Sequence, residues 1–123
     1  MEQNPTLGGG FLQLVVESDG RLIGDIQARA PKHGFPPGVC EIGITLAPEV
    51  RSRGLGLEAV ELLTAYLLEQ GLAWVRASTA VENVAMRRVL ERAGYTFEGV
   101  LRGYAPTKAG REDYAMYALT RGY

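Results

Sequence analysis

Six residues, Arg51-Ser52-Arg53-Gly54-Leu55-Gly56, join a β-rich run, Val39 to Leu46, to a long helical run that begins at Leu57. A strand leading through glycines into a helix predicts a crossover unit that returns to pair in parallel with another strand. It also builds an anion site. Glycines let backbone N–H groups turn toward one point, the helix N-terminus adds partial positive charge, and two arginines stand beside it. The pattern predicts that a phosphate or pyrophosphate binds there.

The rest of the chain limits how large a fold that unit can join. With 123 residues, 46% hydrophobic and 22% charged, the sequence predicts one globular domain with a single core. The net charge of −1 excludes a strongly basic nucleic-acid footprint. There is no apolar run of about 18 residues and no basic-then-apolar leader, so the expected location is cytoplasmic, away from membrane. Cys40 is the only cysteine and His33 the only histidine, too few for a metal site of the usual nitrogen and sulfur ligands. Cys40 reads as a reduced thiol in a strand, and His33 as part of the loop Pro31-Lys32-His33-Gly34-Phe35-Pro36-Pro37.

Residues 1–10 read as a flexible arm and 11–123 as the domain. Phe11 to Glu17 and Arg21 to Ala28 flank Ser18-Asp19-Gly20, a hairpin signal because Asp and Gly tolerate the positive φ of tight turns. Val39 to Leu46 is a third strand, closed by Ala47-Pro48. A helix is expected from about Gly56 to Gln70. Leu57, Val60, Leu63, Thr64, Leu67 and Leu68 share its inner face, while Glu58, Glu61 and Glu69 lie away. Ala73 to Thr79 is a strand. A second helix runs from about Asn83, its cap, to Ala93, with Arg87, Arg88 and Arg92 outward. Thr96 to Tyr104 and Glu112 to Thr120 are the last strands. The order β-β-β-α-β-α-β-β predicts a mixed α/β (α+β) domain whose largely antiparallel sheet contains a central parallel crossover.

Two motifs compete for the glycines. Gly54-Leu55-Gly56-Leu57-Glu58-Ala59 formally matches G-x-G-x-x-A, the dinucleotide fingerprint. That motif should follow its strand directly, yet Ala47 to Arg53 intervenes, and Trp74 to Thr79 offers no acidic partner for a ribose. A phosphate-binding P-loop is excluded because no Gly-Lys-Ser/Thr follows. With the arginine included, Arg51-x-x-Gly54-x-Gly56 resembles the Q/R-x-x-G-x-G/A pyrophosphate loop of the GNAT superfamily of acyl-CoA-dependent N-acetyltransferases. Glu41-Ile42-Gly43, Glu58-Ala59-Val60, Asn83, Arg88-Val89-Leu90-Glu91-Arg92-Ala93-Gly94-Tyr95 and Phe97 to Arg102 look like the branch that acetylates ribosomal-protein N-termini. The resemblance covers roughly residues 11 to 120.

That resemblance implies a cleft where the third strand splays from the strand at Ala73 to Thr79, with acetyl-CoA as co-substrate and no metal. Arg51, Ser52, Arg53, Gly54, Leu55 and Gly56 would hold the pyrophosphate, against a solvated-loop reading for the arginines. The backbone of Ile44, Thr45 and Leu46 would bind the pantetheine. An N–H there, assigned to Leu46, would polarise the thioester carbonyl, an effect worth ~3 kcal/mol in measured enzymes. Asn83 would bind the coenzyme, although a plain helix cap looks the same in sequence. Glu41, at the approximate strand position of the glutamate base in histone-type members, is the candidate general base; an exposed or ion-paired glutamate is the alternative. The acceptor would be a small amine or a protein N-terminus attacking the thioester directly, with residues 33–37, Arg102, Tyr104 and Asp113 on its side.

Two departures from the family pattern stand out. The general acid belongs seven residues after the asparagine, as tyrosine, or three residues after, as serine; here those positions are Leu90 and Met86. Tyr95 and Tyr104 are alternatives, with core packing the favoured role for both, and water can protonate a thiolate whose pKa is near 8.5. The family pattern also sets a strand and two helices before the hairpin at Phe11, where this chain has about ten residues. An open acceptor half and an exposed apolar patch are therefore expected, and with them a homodimer or larger assembly. A non-catalytic or vestigial acyl-CoA-binding module is the alternative function.

Overall fold

The computed structural model describes residues 11–18, 20–30, 36–46 and 54–120. The N-terminal arm, His33 with its neighbours at 31–35, and Arg51, Ser52 and Arg53 lie outside the described residues. Six strands and two helices follow the predicted order: β1 (Phe11–Ser18), β2 (Arg21–Arg29), β3 (Val39–Leu46), α1 (Leu55–Glu69), β4 (Trp74–Ala80), α2 (Val84–Arg92), β5 (Thr96–Thr107) and β6 (Gly110–Thr120). They form one sheet in the order β1-β2-β3-β4-β6-β5. Every pairing is antiparallel except β3 with β4.

Both crossovers move in the same direction across the sheet, so their right-handedness puts α1 and α2 on one face, where they pack together. Strand alternation turns Leu12, Ile26, Ala28, Cys40, Ile42, Val75, Ala77 and Tyr117 toward that layer, and all are buried. From α1 come Ala59, Val60, Leu63, Thr64 and Leu67, and from α2 Leu90. Thr64 Oγ1 and Tyr95 Oη, 2.6 Å apart, satisfy each other inside this core and tie α1 to the start of β5.

Three details differ from the sequence reading. Arg87 does not point outward: its Nε donates to Tyr117 Oη at 2.9 Å and its guanidinium lies over Phe97, 5.7 Å from the ring centroid. The guanidinium serves a buried hydroxyl, an arrangement that helix periodicity cannot show. The β5–β6 hairpin continues past Tyr104 to Thr107, and Pro106 is tolerated because β5 is an edge strand whose N–H at that position needs no partner. Between Leu101 and Ala105 the register slips, so Arg102, Gly103 and Tyr104 stand opposite Asp113 alone. Asp113 Oδ1 accepts from the Gly103 N–H at 2.8 Å, and Arg111 Nε donates to the Gly103 carbonyl at 2.6 Å.

Candidate active site

The parallel pairing of β3 and β4 lasts only from Val39↔Trp74 to Ile42↔Ala77. Beyond it β3 stays with β2 up to Leu46↔Gly24, and β4 stays with β6 up to Ala80↔Tyr114. The two strands therefore splay. From Gly43 onward, the backbone groups of β3 that do not face β2 have no strand opposite them among the described residues. They form a polar edge along a cleft, open to pair with the amide groups of a ligand. Ile44, Thr45 and Leu46, expected to hold the pantetheine, lie along this edge.

The cleft is open to solvent and is bounded by Ile42, Gly43 and Ile44 on β3 and by Ala77, Ser78 and Thr79 on β4. Val60 of α1 and Asn83, Met86 and Leu90 of α2 complete the wall. Gly54 opens α1 with φ 76, and its carbonyl accepts the Glu58 N–H at 3.1 Å. A Cβ at Gly54 would meet nothing within 4 Å, so glycine is there for its backbone conformation. Leu55 and the buried Gly56 form the first helical turn behind it.

Asn83 serves as the cap expected of it. Its Oδ1 accepts the Met86 N–H at 3.1 Å. Its own N–H reaches the Ala80 carbonyl at 2.9 Å, and Arg87 Nη1 holds the Val81 carbonyl at 3.1 Å, which fixes the turn from β4 into α2. The cap uses only the oxygen of the amide, so the Asn83 NH₂ remains on the cleft wall as a donor.

Met86 and Leu90, at the places where an acid belongs, face the cleft and carry no proton to give. Tyr95 is 4% exposed, and burial pushes its pKa up to about 12, partly offset by the Thr64 hydrogen bond. It packs in the core, the role favoured from sequence. Tyr104 stacks on Tyr114 at the hairpin bulge, with ring centroids 5.2 Å apart. Neither tyrosine lines the cleft. Its hydroxyls, among the described residues, are Ser78 and the buried Thr79. Sequence reasoning missed both, although the period-two alternation of β4 carried the signal.

Glu41 stands one residue before the point of splaying, on the opposite sheet face from Cys40 and Ile42. It is 8% exposed and lies next to the cleft lining, not within it. One carboxylate oxygen is ion-paired with Arg29 Nη2, and the other lies 3.3 Å from Arg76 Nε. The three residues are neighbours on adjacent strands, Arg29↔Glu41 and Glu41↔Arg76. This is the ion-paired alternative considered for Glu41. Cys40 is fully buried, and burial, then the Glu41 charge, push its pKa from 9.0 to about 11, so it stays a thiol. Among the described residues no group of His, Cys, Asp and Glu could hold a metal ion.

A mixed sheet with one splayed parallel pair, backed on one face by two crossover helices, defines an α+β domain with a ligand-sized cleft at its splay. The family model of the acetyltransferase (GNAT) domain matches residues 2–96, and the chain belongs to that family. It is 32% identical over 76 residues to the ribosomal protein bS18-alanine N-acetyltransferase of Escherichia coli K12, covering 62% of this chain and 51% of that protein. The structure resembles that of Mycobacterium smegmatis RimJ in complex with CoA-disulfide, with a TM-score of 0.83 and 25% identity over 93% of this chain and 55% of that one. A Vibrio cholerae spermidine N-acetyltransferase variant, at 22% identity, shares the fold, with a TM-score of 0.79 over 90% of this chain and 66% of that one. The chain thus spans about half the length of the curated relative it matches.

Proposed function

We propose that this chain is an acetyl-CoA-dependent N-acetyltransferase acting on a primary amine, a protein N-terminus or a small amine. The observation that carries the reading is the unpaired β3 edge from Gly43 to Leu46, facing Asn83 across a cleft. Acetyl-CoA supplies an acetyl group on a thioester sulfur. The edge amides of Ile44, Thr45 and Leu46 fit an amide-bearing pantetheine arm, and one of them, assigned to Leu46, polarises the thioester carbonyl. The Asn83 NH₂ adds a donor to the same arm. Arg51, Ser52, Arg53, Gly54, Leu55 and Gly56 hold the pyrophosphate at the α1 N-terminus.

In the reaction a neutral amine attacks the carbonyl carbon, a C–N bond forms, the C–S bond breaks, and its electron pair stays on sulfur. The nitrogen gives up one proton and the thiolate takes one. Glu41 is a carboxylate beside the splay point, but both its oxygens face guanidinium groups. Serving as the base would require an ion pair to give way. We assign it to holding Arg29 and Arg76 behind the apex, with water carrying the amine proton away. Thr79, on the same wall as Met86 and Leu90, is the hydroxyl placed to donate a hydrogen bond to the departing sulfur.

Turnover with a panel of amines and N-terminal peptides, followed as free thiol release, tests the assignment. Amine-dependent release is the expected result. Coenzyme binding without release above hydrolysis for any amine would instead support an acyl-CoA-binding module, the reading favoured by Met86 and Leu90. We also propose that the chain self-associates and acts in the cytoplasm.

A further inference from the structure

The large apolar side chains left exposed among the described residues are Leu62, Val84, Phe97, Val100 and Tyr104. Two of them, Leu62 and Val84, lie on oppositely charged helix faces. The exposed stripe of α1 runs through Glu58, Glu61, Leu62, Ala65 and Glu69, and this helix has no lysine or arginine anywhere. Glu58 and Glu61 are like charges three residues apart. Glu69 sits in the last turn, where the helix dipole disfavours an anion. The exposed stripe of α2 presents Val84, Arg88 and Arg92, with the two arginines like charges four residues apart. Arg87 donates to Tyr117 Oη and Glu91 accepts from it, so neither forms an ion pair with Arg88 or Arg92 among the described residues. Among the described residues none of these three glutamates or two arginines has an ion pair within the chain.

Each helix thus carries a repulsive surface that the other could neutralise, yet within one chain they lie side by side with their charged stripes facing outward. We propose that the α1–α2 face is where two copies of this chain associate, α1 of each lying along α2 of the other. A two-fold axis makes the contact twice: the acidic stripe of α1 in one copy runs along the Arg88 and Arg92 stripe of α2 in its partner, with Leu62 and Val84 on the same two faces. This rests on the self-association proposed above and places it on the helix layer, away from the sheet face that bears Glu41. Helices of 15 and 9 residues offer a footprint of roughly 400 Å² per copy, about 800 Å² in total, below the size of a standard specific interface. The association is therefore weak, dynamic and salt-sensitive.

Sedimentation velocity of the chain across a concentration series, at low and high salt, reads this directly. Dimers at low salt are expected, with the dissociation constant rising about tenfold or more at high salt. The double variants Glu61→Arg/Glu69→Arg and Arg88→Glu/Arg92→Glu should each be monomeric under conditions where the unaltered chain dimerises. Mixed in equal amounts they should form a heterodimer, which also shows that both are folded. A chain that is monomeric at millimolar concentration and low salt would overturn both the face and self-association. Dimerisation by both variants as strong as that of the unaltered chain would overturn the face alone. Loss of coenzyme binding in the arginine variant, with dimerisation intact, would assign those arginines to the ligand and overturn the proposal.

Discussion

Glu41 and Arg76 face each other across the parallel pairing of β3 and β4, with Arg76 Nε 3.3 Å from Glu41 Oε2, one residue before the strands part. Arg29 closes on the other oxygen from β2, so three strands meet through one carboxylate at the apex of the cleft. Glu41→Gln should cost about 1–3 kcal/mol, because it removes the charge that both guanidinium groups face. Thermal melts read that cost. The pH dependence of kcat should keep its shape. Loss of its rising limb, with a fall of about 10²-fold or more in an unchanged fold, would make Glu41 the base after all.

Asn83 carries two loads that substitution can separate. Serine keeps a cap acceptor for the Met86 N–H but has no amide NH₂ to offer the cleft. Asn83→Ser should melt within a few degrees of the parent yet bind coenzyme A about tenfold more weakly by calorimetry. Asn83→Ala should lose about 1 kcal/mol of stability as well. Equal coenzyme affinity in all three would reduce Asn83 to a cap.

Thr79→Val keeps the β-branched shape and removes the hydroxyl. With acetyl-CoA, kcat should fall about tenfold at unchanged KM, the pattern of an interaction made in the transition state. Thioesters of more acidic thiols, whose thiolates need less help, should recover most of the loss. A uniform decrease across all thioesters would show a packing defect.

Gly54 combines φ 76 with open space where a Cβ would point. Gly54→Ala should therefore cost about 1–2 kcal/mol of backbone strain without blocking the site. Gly54→Asp adds a negative charge beside the pyrophosphate and should abolish binding, because like charges repel at the helix N-terminus where an anion must sit. Binding that survives the aspartate would remove the pyrophosphate from this loop.

Cys40 and Tyr95 give the fold an alkaline limit. Both are neutral when protonated, and both have folded-state pKa values raised, to about 11 and about 12. Their stabilisation is complete below the ordinary values of 9.0 and 10.0 and is lost as pH rises through the folded ones. Denaturant melts should show stability falling between about pH 9 and 12. Tyr95→Phe should flatten the upper part of that fall, at the cost of leaving Thr64 Oγ1 without its partner.

The sequence by itself determined the element order, the α1 inner face and the cap at Asn83, because each follows from the chain within a few turns or from strand alternation. A strand, a glycine-led loop and a helix also implied the parallel crossover, while the cleft beside it was expected only from the family resemblance. Only the tertiary structure decided what the site residues touch. Arg29, Glu41 and Arg76 lie 12 and 35 positions apart and meet solely through strand register. Thr79 shares a wall with Met86 and Leu90 because α2 folds back over the end of β4. Arg87 turned inward for Tyr117, 30 residues away. Periodicity records which face of an element a residue occupies; the partner across that face is set by how the strands and helices pack.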